Sequence, residues 1–447
     1  MSAAVPRSPV LPVFWEIVDE SMGEAEFLWR RWESALVAAG MNVAGVETWI
    51  EDRLLGAIDG LVVAGDAGIE RIVGPALDSD DLCRVSAASH AMLLTGDTRG
   101  FVSHFVDASA EKRAAMRRGM ELVAHPHVEG ALRELTAHPS DKVRAAALDA
   151  ASFGGHFLPI DFGAWYSDAP ALQRSAVIHL REAPPKVQDA WIDHALSRLG
   201  PGAQSAAAET ALLIGHPGGL PACRELAVAQ IAPSDDMLLL LAILGSDADH
   251  RHVTDAVAKP ERRRAAIWAL GFAGGRQSAA ASIDLLAEGT EVKLAAESFC
   301  AITGLNLAAE GMVAPEPPER DEPVAFEDED LDADLGPGPD DDLLQPDVPA
   351  VLRWWSRNQG RFEDKVRYLD GLPKSFESLQ HALEVGPMRR RHAIAAELAV
   401  RTAGRYRVRT SDFVGRQRSQ MDGFRTLPRE AFGGPLARNL IRTGRRS

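Results

Sequence analysis

The sequence of 447 residues predicts an all-α fold, a right-handed α-solenoid of about nine stacked helix pairs. Three observations favour it: a period close to 30 residues, small side chains at helical spacing in each repeat, and no stretch of strand-like alternation. Hydrophobic residues make up 46% of the chain and charged residues 25%, which excludes a wholly disordered or collagen-like protein. The length fits roughly two to three domains or one long repeat array.

Four regions are predicted from shifts in composition and charge. Residues 306–350 hold 15 acidic residues and one basic residue, whereas residues 351–447 hold 21 basic and 9 acidic ones. Residues 1–305 carry a net charge of -14, so the overall charge of -16 hides unlike blocks. The regions are an N-terminal helical cap (1–45), a repeat array (46–305), an acidic, proline-rich disordered linker (306–350) and a basic helical C-terminal region (351–447).

The N-terminal region is dense in aromatic side chains at helical spacing, including Trp15, Trp29 and Trp32. The first repeat of an array has one face without a neighbour, so a terminal helix of unusual composition is expected to cover it. The alternative is an exposed binding surface. The N-terminus lacks a basic segment followed by a long apolar one, so we expect no signal peptide.

The internal repeat is clearest in SDKVRAAALDAASFGG, where Val143 is followed by small residues at offsets +3, +4 and +7. These offsets place the residues on one face of a helix, and small side chains there allow close helix packing. Successive anchors of the pattern lie 29 to 31 residues apart, too regular a series for chance. The nine anchors are Arg53, Cys83, Arg113, Val143, Leu172, Ala203, Pro233, Arg263 and Val292.

A second helix is predicted between several anchors, with Gly, Pro and Asp clustered in the connections. Two helices in a unit of about 30 residues are typical of an α-solenoid. The predicted second helices are HVEGALRELTA (127–137), VQDAWIDHALSRL (187–199), GLPACRELAVAQI (219–231) and QSAAASIDLLA (277–287).

Three segments resemble HEAT repeats: DKVRAAALDA (141–150), ERRRAAIWALG (261–271) and EVKLAAESFCAITGL (291–305). The whole chain more narrowly resembles an uncharacterised proteobacterial family of HEAT-repeat proteins. The shared features are FWEIVDESMGEAEFLWRRWESAL, EDRLLGAIDGLVVAG, SFCAITGLNL, and LRWW ahead of GPMRRRHAIAAELAVRT. Relatives are often encoded near type VI secretion components, so the resemblance implies an accessory or adaptor role in bacteria and assigns no activity.

The C-terminal region contains three predicted helices, in DVPAVLRWWSRNQGRF, SFESLQHALEVG and PMRRRHAIAAELAVRTAG. The last begins with three arginines, although positive charge is unfavourable at a helix N-terminus. We therefore expect acidic residues of the linker (321–342) to pair with these arginines, the alternatives being an acidic partner protein or nucleic acid. The predicted partner-binding residues are Trp354, Trp355, Arg389, Arg390 and Arg391.

Motifs of the common catalytic and nucleotide-binding sites are missing from the sequence, so we expect no enzyme activity and no cofactor. DADHRH (247–252) offers four potential metal ligands, but its place between two predicted helices explains its polarity, and we expect no metal. Deoxyhypusine hydroxylase resembles this architecture, yet its iron site needs His-Glu pairs and the chain has no such dipeptide. HEAT-like DNA glycosylases cradle DNA in a basic surface, whereas this array is acidic.

The predicted function is a non-catalytic protein–protein interaction scaffold or adaptor, accessory to a bacterial secretion or effector system. The acidic array predicts a protein partner with a basic face, which the inner helices of the concave surface would contact while the outer helices maintain the curvature. Alternatives are an immunity-type toxin-binding protein, a nucleic-acid-binding HEAT-like protein, and an enzyme. The enzyme would require the side chains of Trp354, Trp355, Arg389, Arg391 and His392 to converge on a pocket. Three isolated cysteines and no long apolar run predict a cytoplasmic protein without membrane insertion.

Overall fold

The computed structural model describes residues 13–163, 169–229, 235–315, 338 and 340–423. These residues are mainly α-helical, with one short antiparallel hairpin, which confirms the predicted all-α repeat architecture. The chain divides into two compact units. Unit 1 comprises Met1–Leu36, Ala44–Trp191 and Ser411–Arg416, and unit 2 comprises Val37–Val43, Ile192–Thr410 and Gln417–Ser447.

Unit 1 is built from short helices joined by tight turns. Two of its helical runs contain a π-helical segment, at Glu47–Glu51 and Ile69–Val73. The helices are α1 (Trp15–Ala35), α2 (Val43–Val46), α3 (Asp52–Val63), α4 (Gly65–Gly68), α5 (Gly74–Ala76), α6 (Leu82–Thr95), α7 (Thr98–Asp107), α8 (Ala110–Glu121), α9 (Pro126–Thr136), α10 (Asp141–Gly154), α11 (Pro170–Leu180) and α12 (Pro185–Arg198), the last of which ends in unit 2.

Alternate helices of unit 1 stack into layers, as a solenoid requires. Helix α6 packs on α8, α8 on α10 and α10 on α11, while α7 packs on α9. Side-chain caps begin α6, α7, α8 and α9; ahead of α6, for example, the Asp81 carboxylate accepts from Cys83 N–H and Arg84 N–H. Gly96 and Gly155 end α6 and α10 in the left-handed conformation that glycine adopts without strain.

Helix α1 packs against α3 and α6 in unit 1. Its buried side chains recur every three or four residues, and they include both Trp29 and Trp32. Apolar side chains on its remaining surface, Phe14, Ile17 and Phe27, are exposed. The aromatic density predicted for the N-terminal cap therefore serves packing in large part, because the two largest side chains of this stripe are fully enclosed.

Unit 2 continues the helix pairs and adds the C-terminal elements. Strands β1 (Tyr368–Leu369) and β2 (Leu372–Pro373) pair antiparallel, with Tyr368 opposite Pro373 and Leu369 opposite Leu372. The helices are α13 (Pro201–Leu213), α14 (Gly219–Val228), α15 (Asp235–Leu244), α16 (Asp247–Ala256), α17 (Pro260–Ala273), α18 (Arg276–Glu288), α19 (Val292–Thr303), α20 (Val348–Asn358) with a 3-10 turn at Gln359–Arg361, α21 (Phe376–Val385), α22 (Met388–Arg401) and α23 (Val414–Asp422), whose first residues belong to unit 1.

The repeat helices of unit 2 form two layers. We call α13, α15, α17 and α19 the A layer, and α14, α16 and α18 the B layer. Helix α15 packs on α17 and α17 on α19, while each B helix fills the space beside its sequence neighbours. The predicted period is confirmed, since each anchor that the structure describes lies in a helix. Pro233, just before α15, falls outside the described residues.

The C-terminal helices share one hydrophobic core with the repeat helices of unit 2. Leu241 and Leu270 of the A layer belong to the same buried cluster as Leu379 of α21 and Leu398 of α22. Apart from Ser411–Arg416, which belong to unit 1, the described residues of the predicted C-terminal region therefore pack as part of unit 2.

Both ends of the region predicted as a disordered linker, residues 306–350, form defined backbone pairings in the structure. Residues 306–315 and 340–350 are described, and Val313 pairs with Pro346 in an isolated bridge. Ala314 N–H donates to Gln345 O at 2.8 Å, and Asp347 N–H donates to Met312 O at 2.8 Å. The acidic, proline-rich composition of this region gave no indication of these short backbone pairings. The remaining linker residues, 316–337 and 339, lie outside the described residues.

Two further features of the described ranges bear on membrane insertion and metal binding. None of the helices described is both long enough and apolar enough to cross a membrane. Within the same ranges, no group of three or more His, Cys, Asp or Glu side chains is arranged to hold a metal ion.

Candidate functional site

The predicted partner-binding tryptophans lie on α20 and pack inward. The ring of Trp355 lies 5.4 Å from that of Phe299 on α19 and 5.7 Å from that of Phe362, measured between centroids. Trp354 packs edge-on against the same Phe299 ring at 5.9 Å. Trp355 is buried and Trp354 is partly buried, so both act as anchors between α20 and the array.

The first arginine of α22 pairs with the end of the linker. Arg389 Nη2 lies 3.2 Å from Asp340 Oδ1, and Nη1 lies 3.7 Å from Asp342 Oδ1. Its Nε lies 3.3 Å from Glu297 of α19. The expectation that linker carboxylates compensate the three arginines is confirmed for Arg389, through Asp340 and Asp342, and the printed ion pairs of Arg390 involve Glu297 of α19 instead. Residues 321–337 of the expected strip are outside the described residues. The pairing offsets positive charge at the N-terminus of α22.

The next two arginines of α22, Arg390 and Arg391, are buried. Arg390 donates through Nη2 to Gly271 O at 2.9 Å and lies over the Phe272 ring at 4.0 Å from its centroid. Arg391 donates through Nε to Leu383 O at 2.6 Å on α21. These side chains therefore point toward different helices, because consecutive residues on a helix are about 100° apart.

The five predicted residues therefore do not converge on one pocket. His392, which the enzyme alternative added to them, stacks on Trp268 of α17 with centroids 6.0 Å apart. The burial of Trp355, Arg390 and Arg391 argues against an external partner-binding role for this group. Removing the side chain of a buried, paired arginine would leave its former partners in the core without a hydrogen bond or an opposite charge.

The β-hairpin between α20 and α21 covers the ends of the A-layer helices. Tyr368 N–H donates to Gly274 O at 2.7 Å, at the end of α17. Asp370 N–H donates to Ala301 O at 2.8 Å and Gly371 N–H to Ile302 O at 3.0 Å, at the end of α19. The hairpin thus satisfies carbonyls that a helix C-terminus leaves without an intrahelical partner.

Two cations beside the hairpin extend this capping. Arg367 donates to Ile243 O at 3.4 Å and to Gly245 O, at the end of α15. Lys374 donates to Phe272 O at 3.2 Å, near the end of α17. Positive charge at a helix C-terminus interacts favourably with the helix dipole. Three successive A-layer helices are therefore capped by residues 367–374.

A buried ion network fixes the hairpin to α22. Lys374 Nζ lies 2.6 Å from Glu397 Oε2, and Arg401 Nε donates to Glu397 Oε1 at 3.0 Å. Burial lowers the pKa of Lys374 to about 8, against the opposing attraction of Glu397. Glu397 pairs with both cations, so each of the three buried charges depends on the others for a partner.

The A layer is apolar on more than one side. Nearly every residue from Met237 to Leu244 of α15 is buried. Helix α22 and the hairpin cover the side of the A layer that the B layer does not. The uninterrupted run DMLLLLAIL (236–244) is a sequence signal of this burial, since a helix that is hydrophobic all round is buried all round.

Unit 1 holds an equivalent cover, the segment Ser411–Arg416. The Phe413 ring lies 5.0 Å from that of Trp32 and 5.5 Å from that of His90, and Arg118 donates to Ser411 O at 2.6 Å. Beneath it, Glu51 accepts from Val414 N–H at 2.7 Å and from Trp32 Nε1–H at 3.0 Å.

The DADHRH loop, weighed as a metal candidate, is occupied by structural contacts. Asp249 caps α16 through Ser246 and makes a two-point ion pair with Arg224, whose Nε and Nη2 lie 2.7 and 2.9 Å from its oxygens. These hydrogen bonds lower the pKa of Asp249 to about 2, against the effect of burial. His250 Nε2 lies 3.0 Å from Ala242 O. The expected position between two helices is therefore wrong: residues 247–252 are the first residues of α16, whose start is fixed by a capping box.

Unit 2 contains a cavity of about 530 Å³. It is lined by one side of α19, by the loop that follows α19, and by segments that approach from elsewhere in the unit. Glu297 and Arg390 face each other in its wall, with Arg390 Nη1 3.7 Å from Glu297 Oε1. The cavity also touches Cys300, a thiol whose pKa burial raises to about 12, so it stays protonated at neutral pH and is a poor nucleophile.

The B layer of unit 2 presents an acidic surface. Arg224 and Arg276, two of its cations, pair with Asp249 and Asp364. The exposed carboxylates of α14, α16 and α18 are Glu225, Asp247, Asp255, Asp284 and Glu288.

Comparison with known proteins adds little. No family model matches the chain, and no curated protein matches it. Among solved structures, an engineered protein is 13% identical over 86% of this chain and 98% of its own, with a TM-score of 0.27. Human deoxyhypusine hydroxylase in complex with glycerol is 13% identical over 63% of this chain and 97% of its own, with a TM-score of 0.21. These TM-scores are too low to support a conclusion about fold or activity.

Proposed function

We propose that the protein is a non-catalytic interaction scaffold that binds a protein partner through the B layer of unit 2. The observation that carries the proposal is the difference in exposure between the two layers. The A layer is covered by α22 and the hairpin, whereas α14, α16 and α18 leave one side exposed. A rigid row of parallel helices suits recognition of an extended or helical partner.

Charge determines which partner this surface fits. The exposed carboxylates of the B layer favour a protein with a basic face, and they repel the phosphates of nucleic acid. An accessory role in a bacterial secretion or effector system, which the resemblance to the proteobacterial HEAT-repeat family suggests, is compatible with such a partner and forms part of the proposal.

The test is charge reversal on the B layer. A variant with Asp255→Lys, Asp284→Lys and Glu288→Lys is compared with a matched variant carrying Asp19→Lys, Glu20→Lys and Asp59→Lys on α1 and α3. Each is used for crosslinked capture from the source cells, and the captured protein is then purified for binding measurements. We expect one stoichiometric partner that the B-layer variant loses and the matched variant keeps.

Salt provides the second readout. Affinity of the purified partner should fall between ~50 mM and ~500 mM salt, because surface charges are strongly screened at the higher concentration. Equal affinity at both concentrations, retention of the partner by the B-layer variant, or the absence of any stoichiometric partner would contradict the proposal.

A further inference from the structure

A stripe of positive charge runs along the exposed side of α20 in unit 2. Arg353 and Arg357 lie one helical turn apart on this side, and Arg361 follows in the 3-10 turn that extends the helix. All three are exposed, and none of them forms an ion pair within the part of the chain that the structure describes. Arg361 donates to the neutral side-chain oxygen of Asn358 at 3.4 Å. We call these three arginines the α20 stripe.

The opposite side of α20 holds the stripe in place. Val351 is fully buried, and the ring of Trp355 packs on that of Phe299 in α19. Asp347 caps the start of the helix by accepting from Ala350 N–H at 3.0 Å. Because the helix is anchored along its length, the spacing of the arginines is set before any ligand arrives.

This spacing defines the ligand. Side chains four residues apart on a helix are about 6 Å apart, which is close to the distance of about 6.6 Å between alternate residues of an extended peptide. The planar guanidinium group of arginine favours carboxylates, because its parallel N–H groups can donate to both oxygens. The stripe spans about 12 Å at 1.5 Å per residue, so it matches about five residues of an extended acidic segment.

The charge around the stripe disfavours a longer polyanion. Helix α20 packs against α18, where Asp284 and Glu288 are exposed, and Glu363 is exposed just after the stripe. A nucleic acid strand that runs past the stripe would bring its phosphates close to these carboxylates. A short acidic peptide ends before it meets them.

The linker carboxylates that the structure describes pair with other helices. Asp340 lies 3.2 Å from Arg389 of α22 and 2.5 Å from Arg264 of α17, and Asp342 lies 3.7 Å from Arg389. None of the linker carboxylates within the described ranges forms an ion pair with the α20 stripe, which favours an acidic segment of another protein as its occupant.

We propose that the α20 stripe binds a short acidic segment of a partner protein, in which Asp or Glu recurs at every second residue. Ion pairs at an exposed surface are individually weak, so binding depends on the three arginines acting together and is sensitive to salt. The proposal is independent of the scaffold function of the B layer, which uses carboxylates on other helices.

The test is fluorescence anisotropy of the full chain with a labelled peptide in which four glutamates alternate with serines. We expect saturable binding with a Kd below about 1 mM at ~50 mM salt, and at least about tenfold weaker binding at ~500 mM salt. A matched peptide with glutamine in place of glutamate should not bind in this range, because its amides carry no charge. Absence of saturable binding, as when the chain's own acidic linker occupies the stripe, would overturn the proposal, and so would equal affinity for the two peptides or at the two salt concentrations.

Variants test the stripe itself. The combined substitutions Arg353→Glu, Arg357→Glu and Arg361→Glu should weaken binding of the glutamate peptide about tenfold or more, since each arginine is replaced by a repelling charge. The matched control changes net charge equally at three exposed arginines of α7, α11 and α12, and should bind like the wild type. Its substitutions are Arg99→Glu, Arg174→Glu and Arg198→Glu.

Circular dichroism establishes that both variants are folded, and the peptide pair on the wild type stands without them. Unchanged affinity in the folded α20 variant, or an equal loss in both variants, would contradict a site at the stripe. A single-stranded oligonucleotide of about 12 nucleotides that binds the wild type more tightly than the peptide, and is lost in the α20 variant alone, would assign the stripe to nucleic acid instead.

Discussion

At the scale of single residues, Glu51 is the most consequential buried acid in unit 1. Its side chain is 2% exposed, in the π-helical segment between α2 and α3. Burial raises the pKa of Glu51 to about 7, with smaller contributions from Glu47 and Asp412, while its bonds from Val414 N–H and Trp32 Nε1–H oppose the rise. A π-helical segment adds one residue to a helical turn, and Glu51 is the last residue of this segment.

A pH dependence of stability follows for unit 1. A carboxyl group whose folded pKa is raised stabilises the fold fully below its unfolded pKa of 4.5, and this stabilisation is lost as pH rises through about 7. The effect is at most about 3 kcal/mol, from 1.36 kcal/mol per pKa unit. In Glu51→Gln, which cannot ionise, urea unfolding should show a weaker fall in stability from about pH 4.5 to pH 7.

The exposed glutamate Glu20 on α1 supplies the control, because Glu20→Gln should leave the wild-type pH profile unchanged. If Glu51→Gln unfolds with the same pH profile as the wild type, the carboxyl group at position 51 does not titrate in this range in the folded protein.

At the scale of elements, glycines at the helix ends allow the hairpin to approach the A layer. Gly274 and Gly304 have φ angles of +72° and +71°. A Cβ atom at Gly304 would lie 2.5 Å from Asp370 O, and one at Gly274 would lie 2.6 Å from Tyr368 O. Glycine is required at both positions by backbone conformation and by the space that the hairpin occupies.

The two causes can be separated by substitution. Gly289, at the end of α18, has a φ angle of +73° but open space around it. Gly289→Ala should therefore cost only the left-handed backbone, about 1–2 kcal/mol. Gly304→Ala should cost about 1–3 kcal/mol more in the free energy of chemical unfolding, because the hairpin must move. Equal losses for the two variants would mean that the hairpin contact adds nothing.

At the scale of the whole molecule, the C-terminal region is part of the fold. Leu241, Leu270 and Leu398 belong to one buried cluster in unit 2. A chain ending at residue 305 leaves the apolar A layer uncovered and removes the segment Ser411–Arg416 from unit 1. A large exposed apolar surface of this kind promotes aggregation and dye binding.

Truncation tests this interpretation. The 1–305 chain should bind a hydrophobic dye, lose near-ultraviolet circular dichroism and unfold without a sharp transition. The 1–423 chain, which retains every contact described above, is the control and should behave like the full chain. A 1–305 fragment that unfolds cooperatively with native circular dichroism would show that the array is stable without its C-terminal cover.

Local regularities made much of this protein predictable. The small or apolar residues that follow anchors such as Val143 and Val292 are set by helical spacing, which acts over a few residues. The same spacing sets the apolar stripe of α22. Two features were readable but missed: the Asp370–Gly371 turn, whose two positive φ angles make a hairpin turn, and the apolar run in α15. Both are short local patterns that lie outside the small-residue pattern of the helical repeat.

Only the tertiary structure decided what the C-terminal region covers and which residues form a cavity. Glu297 and Arg390 are far apart along the chain, and their separation of 3.7 Å depends on how α19 and α22 pack. Likewise, only the structure shows that the A layer is covered. The exposed carboxylates of the B layer therefore lie on the side of the repeats that stays accessible. Helical periodicity records which face of a helix is buried, but the identity of the neighbour comes from long-range packing, which no local pattern encodes.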